Sequence, residues 1–317
     1  MALTYDQIDA HVQKCIIPKL IDQVYIGNPF LVKLLAKCKI EFDSGKSISQ
    51  PILYGKKNWG TYAGLDKFNL GIVKTRNLAD WDWKSFYVNI TLVGDDIDKI
   101  DGDLAILGLV TSEVKEAELT AKDALSTMLF GNGSDPKAFN GLADAISATA
   151  STAYGGITPS DLGDAGTGEG GVWTSVVDAT GGALTLSRVK NLIGLTTYET
   201  EVPDLIIMTQ PLYDALWALV QPSQRYLDPS SALARVGFSG IQIDKTQVVV
   251  DRHCPSGYMY GINTNWFKLI CHKKKWMKWT SNKEMLDADG YVRQILSKGN
   301  FICQARKFHF KATGLSA

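Results

Sequence analysis

Two neighbouring pairs of cysteine and histidine are candidates for chemistry in this sequence: His253-Cys254 and Cys271-His272. Four such side chains could in principle complete a tetrahedral zinc site. Adjacent residues on a strand point to opposite faces, however, so both members of one pair rarely reach the same ion. A thiol nucleophile would need a local activator, and neither cysteine has an obvious one. The pattern favours cysteines buried as small apolar side chains, with no metal and no cofactor.

A glycine-rich segment and two carboxylate pairs are further candidates. "GTGEGG" at 166–171 matches the spacing of a dinucleotide-binding loop, but that loop must follow a strand and open a helix. Here a loop precedes the glycines, and the β-like "VWTSVVD" follows them. Asp80/Asp82 and Asp95-Asp96 flank turns, which favours solvated turn residues over acid–base catalysis. We therefore expect no enzyme active site.

The segment "HKKKWMKWTS" at 272–281 is the best candidate for binding nucleic acid. Its lysines could neutralise phosphates, and Trp276 and Trp279 could stack on bases. The favoured interpretation is a solvated strand whose alternate side chains are basic. A DNA-binding module remains an alternative.

Composition excludes several classes of protein. The formal net charge is zero, which argues against a dedicated nucleic-acid binder, and the five scattered cysteines predict reduced thiols. No apolar run is long enough for a membrane span, and the first residues lack a signal-peptide pattern. The charge is nevertheless divided along the chain: residues 1–76 carry 11 basic and 6 acidic side chains, whereas residues 77–199 carry 7 and 18. Such a division allows one copy to recognise another.

A long amphipathic helix is the clearest predicted element. Apolar side chains recur at spacings of three and four, and "GNG" at 131–133 ends the pattern. The spacing predicts a helix over 104–129, about 39 Å long. The positions that form its apolar face are Leu107, Val110, Val114, Ala117, Ala121, Ala124 and Met128.

Two alternating segments predict strands beneath this helix: "FYVNITLV" at 86–93, and the segment around Phe308, Phe310 and Ala312. If both lie in one sheet, the end of the chain returns to the sheet that precedes the helix. The intervening segment, 141–284, would then be an inserted lobe. Its alternating helical and strand-like patterns, including "PDLIIMTQPLYDALWALV" and "TQVVVDRHCPSGYMYGINTNWFKLICH", predict an α/β arrangement.

The stretch "GKSISQPILYGKKNWGTYAGLDKFNLG" at 45–71 has neither a strand-like nor a helical period, yet it carries several large apolar residues. A two-stranded ribbon has no core of its own, so these side chains would be exposed in a single copy. Residues 46–76 also carry six basic side chains against Asp66 alone.

In chain order these elements resemble a tailed-bacteriophage major capsid protein with the Hong-Kong-97-type capsid fold. The segments that carry the resemblance are "WDWKSFYVNITLVGDD", "MLFGNG" with "FNGL", "YGGI", "PDLIIMTQPLYDALW", "QRYLD" and "VVVDRHCPSGYMYGINTNWFKL". The resemblance implies an α+β fold with an N-terminal arm (1–42), an extended loop or E-loop (43–78), a peripheral domain with a spine helix (79–140), an axial domain (141–284) and a C-terminal return (285–317).

The resemblance also implies a function. Capsid proteins of this type assemble as hexamers and pentamers into an icosahedral virion shell in the host cytoplasm, around double-stranded DNA bound without sequence specificity. Portal, scaffolding and decoration proteins are further possible partners. Neither catalysis nor a membrane contact is implied.

By resemblance, the E-loop lies across the peripheral domain of a neighbouring subunit. The loop residues expected at this contact are Ile52, Leu53, Lys56, Lys57, Trp59, Tyr62, Leu65 and Phe68. The acidic residues expected on the spine helix are Glu113, Glu116, Glu118 and Asp123. We hypothesise that this opposition of charge steers the loop onto the neighbour; alternatively, the lysines only keep an apolar loop soluble.

Three alternatives stay open on sequence alone. An encapsulin-like protein shell has the same fold but holds a protein cargo. A metal- or thiol-dependent enzyme would use the Cys/His pairs, and a DNA-binding module would use "HKKKWMKW".

Overall fold

The structure is a computed structural model that describes residues 29–37, 39–42, 45–93, 103–163, 171–220, 241–281, 283–285 and 287–317. Within it, the side chains of residues 37, 39, 41 and 103–111 are outside the description. Most of the predicted N-terminal arm, the Asp95-Asp96 pair, most of "GTGEGG" and the whole of "QRYLD" lie outside the described residues. No helix in the described part is both long enough and apolar enough to cross a membrane.

The described residues form five α-helices and sixteen β-strands. The helices are α1 (Pro29–Lys37), α2 (Asp103–Leu129), α3 (Leu142–Ala145), α4 (Leu186–Thr196) and α5 (Gln210–Val220). The strands are β1 (Lys39–Phe42), β2 (Ile48–Leu53), β3 (Arg76–Trp81), β4 (Lys84–Val93), β5 (Val176–Asp178), β6 (Gly182–Ala183), β7 (Leu205–Met208), β8 (Gln242–Ile243), β9 (Thr246–Val250), β10 (Met259–Ile262), β11 (Phe267–His272), β12 (Lys278–Trp279), β13 (Lys283–Glu284), β14 (Gly290–Cys303), β15 (Phe310–Ala312) and β16 (Leu315–Ser316).

The chain divides into two compact units. The described part of the first comes from Val88–Asp123 and Trp279–Ile295, and the second combines Gly27–Tyr87, Ala124–Lys278 and Leu296–Ala317. In the first unit, β14 runs antiparallel to β13, and Gln294 Nε2 donates to Asn89 Oδ1 of β4 at 3.0 Å.

The long helix predicted over 104–129 is present as α2. Ala117, Ala121, Leu125 and Leu129, each four residues after the last, are buried. Val114 and the predicted Ala124 and Met128 are half-buried, whereas the side chains of Leu107 and Val110 lie outside the described residues. The buried stripe therefore follows the prediction to Ala121 and then moves by one residue.

The second unit contains a sheet with the strand order β5-β15-β10-β7-β9-β8. All four residues of β7 are buried, because Ile206 and Met208 face one apolar cluster while Leu205 and Ile207 face another. The first of these clusters includes Val189 of α4 and Leu212 of α5. The predicted α/β character of this lobe is therefore present, with the helices covering one face of a central strand.

The pairing of the C-terminal strand differs from the prediction. β15 pairs with β10 and β5 in the lobe sheet, and the strand that pairs with β4 is β14. Phe308 belongs to a 3₁₀ turn, Arg306–Phe308, rather than to the strand. Similarly, β11, which the sequence groups with the lobe, pairs with β1 and β14. Alternation predicts a strand but carries no information about its neighbour.

A glycine and a phenylalanine establish the contact between β10 and β15. Gly261 lies opposite Phe310, and a Cβ at Gly261 would meet the Phe310 ring at 1.9 Å. Phe310 is fully buried against the residues under α4 and α5. Close approach of the ring therefore requires glycine at this position.

Two buried polar side chains hold the segment before β15. Arg306 donates to the carbonyls of Ala145, Trp173 and Ser147, at 2.7, 2.8 and 3.3 Å. His309 Nδ1 accepts a hydrogen bond from the Asn263 backbone at 3.2 Å. Burial lowers the pKa of His309 to about 3, so this imidazole is neutral in the folded protein at ordinary pH.

Candidate subunit interface

The base of the E-loop is an antiparallel hairpin anchored in the core of its own subunit. β2 and β3 pair from Ile48↔Trp81 to Leu53↔Arg76. Ile48 and Ile52 point inward with Trp81, while Leu53 at the end of β2 points to solvent. The predicted exposure of Ile52 is therefore wrong, because the strand alternation of β2 directs this side chain into the apolar cluster.

Strand pairing stops where the hairpin leaves the core. Tyr54 N and Gly55 N both donate to Thr75 O, at 2.9 and 3.3 Å, and residues 56–75 contain no strand. Farther out, Asn58 Nδ2 donates to Gly71 O at 2.8 Å and links the two arms of the loop. The predicted ribbon is thus a short hairpin that continues as an extended, unpaired loop.

The loop exposes nearly all of its large apolar side chains. Leu65 and Ile72 are about as accessible as in an extended peptide, at 102% and 99%, and Trp59 is 86% exposed. Tyr62 and Phe68 touch edge to face with ring centroids 5.1 Å apart, yet both remain largely exposed. The exposure predicted for Leu53, Trp59, Tyr62, Leu65 and Phe68 is confirmed.

Sequence reasoning missed Leu70 and Ile72, which are 87% and 99% exposed. The signal was available, because both continue the aperiodic apolar pattern beyond Phe68 and precede the first residue of β3. With them, the apolar surface spans the whole loop from Trp59 to Ile72 (the loop surface: Trp59, Tyr62, Leu65, Phe68, Leu70 and Ile72).

The charged residues of the loop are also exposed. Lys56, Lys57 and Lys67 are at the surface, and the Asp66 carboxylate accepts a hydrogen bond from Ala63 N at 2.9 Å in a local turn. The one acidic side chain among residues 46–76 is therefore engaged in shaping the loop. The loop surface is apolar with a basic surround.

The acidic residues predicted on the spine helix differ in accessibility. Glu116 and Glu118 are exposed, whereas Glu113 and Asp123 are half-buried. Lys115 and Lys122 are exposed as well. Glu116 and Glu118 are accordingly the residues most accessible to a basic partner.

Among the residues that the structure describes, the cysteines and histidines considered for catalysis or metal binding lie in separate surroundings. Cys254 and Cys271 are buried in the apolar core, and burial raises the pKa of the Cys254 thiol. His253 Nδ1 lies 3.4 Å from Asp251 Oδ1, and the His272 ring packs against Trp83. Within the described residues, no three His, Cys, Asp or Glu side chains are grouped to hold a metal ion. After Gly171 the chain enters β5 and not a helix.

Comparison with known proteins places the architecture in a defined class. No protein-family model matches the chain, and no curated protein sequence matches it. Solved structures do match over nearly the whole chain. The capsid asymmetric unit of cyanophage A-1(L) has a TM-score of 0.68 at 15% identity, covering 94% of this chain and 96% of that one.

Two further structures share the architecture. The capsid of a native GTA particle has a TM-score of 0.65 at 9% identity, covering 99% of this chain and 100% of that one. The chain has the Hong-Kong-97-type capsid fold. A holo-SrpI encapsulin complex from Synechococcus elongatus PCC 7942 has a TM-score of 0.63 at 9% identity, covering 100% of this chain and 97% of that one. At these identities the Hong-Kong-97-type fold is what the proteins have in common.

Proposed function

We propose that this protein is the major capsid protein of a tailed bacteriophage. Its copies assemble as hexamers and pentamers into an icosahedral head that encloses double-stranded DNA, and it has no catalytic activity of its own. The observation that carries the proposal is the loop surface: six large apolar side chains are exposed on a segment without a core. A segment of this kind is stabilised only when another molecule covers it.

The energetics favour a second copy of the chain as the partner. Full burial of one large apolar side chain contributes about 1.5–3 kcal/mol, so partial burial of the loop surface contributes on the order of 10 kcal/mol. Association costs an estimated ~4–15 kcal/mol in lost freedom. A single loop contact is therefore close to balance and reversible. In a closed assembly every subunit both gives and receives a loop, so each subunit makes two such contacts and the assembly is more stable than a single pair.

Charge supports the spine helix of a neighbouring subunit as the receiving surface. The loop carries Lys56, Lys57 and Lys67, and the helix presents Glu116 and Glu118. Each exposed pair contributes only about 0–1 kcal/mol, so these charges direct the approach and contribute little to affinity.

The proposal is tested by negative-stain microscopy of the purified full-length protein and of Trp59→Ser/Leu65→Ser/Phe68→Ser. We expect closed particles from the parent chain and a loss of at least tenfold in particle yield from the variant, because the apolar contact is removed. Trp59→Phe/Leu65→Met/Phe68→Tyr is the matched control, since it changes the same positions and retains apolar surface. Normal particles from the serine variant, with its far-ultraviolet circular dichroism unchanged, would contradict the proposal.

A second candidate function is an encapsulin-like shell, which the similarity to the holo-SrpI encapsulin complex favours. The two kinds of shell differ in what they enclose. Nuclease-resistant DNA in particles purified from the phage host supports a virion head, with portal, scaffolding and decoration proteins as further partners and assembly in the host cytoplasm. A co-purifying protein cargo without nucleic acid supports the cargo shell instead.

A further inference from the structure

A second surface brings together basic and aromatic side chains that the loop contact does not use. Trp83, between β3 and β4, is half-buried, and its Nε1 donates to Gly45 O at 3.0 Å. The His272 ring contacts the indole edge to face at 5.4 Å, and Lys298 Nζ lies 5.8 Å from the indole centroid. Lys46 is exposed and follows Gly45 in the chain. Residues far apart in sequence therefore converge on one indole.

A tight turn adds more lysines to this surface. After β11, Lys275 N donates to His272 O at 2.9 Å, and Lys274 N donates to His272 Nδ1 at 3.3 Å. Lys298 N donates to Lys275 O at 2.9 Å, which joins the turn to β14. The side chains of Lys274 and Lys275 are exposed. The set, called the Trp83 patch below, consists of Lys46, Trp83, His272, Lys274, Lys275 and Lys298.

The Trp83 patch concentrates like charge. Backbone atoms of Lys274 and Lys275 make the hydrogen bonds of the turn, and the side chains of both residues are exposed. Among the described residues next to the patch positions in the chain, the acidic one is Asp82, beside Trp83. Four lysines against this carboxylate leave a net positive surface that attracts anions.

We propose that the Trp83 patch binds the phosphates of the enclosed nucleic acid without reading its sequence. This inference rests on the proposed function, since it names the face of the subunit that meets the cargo. Duplex DNA carries one negative charge per ~1.7 Å of its axis, a density suited to lysines grouped within one turn and the adjoining strand. Under the proposed function, the exposed carboxylates of the spine helix, Glu116 and Glu118, already face the loop lysines of a neighbouring subunit. Phosphates are therefore the occupant, rather than the acidic helix of a second copy.

The test measures binding of random-sequence duplex DNA to the purified full-length protein as a function of salt, from ~50 to ~200 mM. Lys274→Glu/Lys275→Glu is compared with Lys190→Glu/Lys245→Glu, which changes the net charge equally at exposed positions of α4 and the β8–β9 turn. We expect the slope of log K against log salt to become less steep by about 2 in the first variant, since each lost phosphate contact reduces its magnitude by ~0.9. The control should change the slope by less than half as much.

Three outcomes decide the matter. The proposal would be overturned if the salt slope fell equally in the two double variants, because binding would then reflect net charge. It would also be overturned if neither slope changed, because a different surface would then bind the DNA. Polyglutamate that binds as tightly as DNA, with the same dependence on Lys274 and Lys275, would overturn it in favour of an acidic protein partner. Microscopy of the same samples tests the proposed function separately from the phosphate contact. A parent chain that forms no particles contradicts the shell and not the phosphate contact.

Discussion

The loop surface and the lobe sheet use the same kinds of apolar side chain in opposite ways. In the lobe, the four residues of β7 are buried on both faces by the two apolar clusters of one subunit. In the loop, Leu65 and Ile72 have no covering side chain from their own subunit. Both regions are apolar, but the lobe completes its core within one subunit and the loop does not.

A segment of this protein can therefore be ordered without having an apolar core of its own. The loop keeps a definite path through hydrogen bonds within it, such as the one from Asn58 to Gly71, and through the hairpin that anchors its base. The apolar side chains of the loop are nevertheless buried, and so contribute to stability, only when the loop associates with another molecule. Substitutions in the lobe should therefore destabilise the subunit, and substitutions in the loop should destabilise the assembly.

The largest loss of stability should follow truncation of a phenylalanine in the lobe core, and the same change in the loop provides the comparison. Phe310→Ala should lower the free energy of unfolding by about 3–5 kcal/mol, because it leaves a cavity in the lobe core. Phe68→Ala should change it by no more than about 0.5 kcal/mol, because the ring is exposed. Urea unfolding of unassembled protein, followed by circular dichroism, measures both values.

Phe310→Leu is the control for side-chain shape in that experiment, and it should lower the free energy of unfolding by less than the alanine substitution does. A loss above about 2 kcal/mol for Phe68→Ala would mean that the loop packs within its own subunit, and the contrast between the two regions would disappear.

The next effect concerns acid: the free energy of unfolding of the lobe should fall as the pH is lowered. His309 is buried and neutral, with its pKa lowered to about 3 from 6.5, while Asp204 and Arg306 act on it in opposite directions. The unfolded chain binds the proton first, so stability is complete above pH 6.5 and falls as the pH drops towards 3. The slope from this one group is at most about 1.4 kcal/mol per pH unit.

His309→Gln should flatten that dependence between pH 7 and pH 4, in urea titrations at each pH. His272→Gln is the matched control, because His272 is half-buried at the Trp83 patch and outside the lobe core. An acid dependence that is the same in His309→Gln and in the parent chain would assign the effect to carboxylates elsewhere.

The smallest effect per interaction is expected from the charges of the loop. Lys56→Glu/Lys57→Glu/Lys67→Glu should slow assembly at low salt and leave the free energy of unfolding unchanged, with about 0–1 kcal/mol lost per pair. Light scattering at two ionic strengths follows the rate, and salt should reduce the difference from the parent chain.

Lys56→Gln/Lys57→Gln/Lys67→Gln separates steering from solubility. If the lysines steer the loop, reversal should slow assembly more than neutralisation does. If both variants aggregate without forming particles, the lysines serve to keep the loop soluble, and the steering hypothesis fails.

Local patterns predicted several elements well. The spacing of apolar residues placed α2 within one residue of its observed start, and the helix α5 and the strands β7 and β9–β11 lie in the segments whose patterns predicted them. Contacts between residues a few positions apart determine these elements, so a short window contains the necessary information. The exposure of Trp59, Leu65 and Phe68 was equally predictable, because no period in that stretch could bury them.

The sequence alone therefore indicated α2, α5, β4, β7 and β9–β11, together with the apolar, basic character of the loop. It did not predict α1, α3 or the longest strand, β14. Tertiary structure alone decided that β15 joins the lobe sheet, that Ile52 faces the core, and that Lys298 meets Trp83. Strand partners and converging side chains depend on contacts between distant residues. Their selection requires the whole chain to bury its apolar surface at once, and no local pattern records that choice.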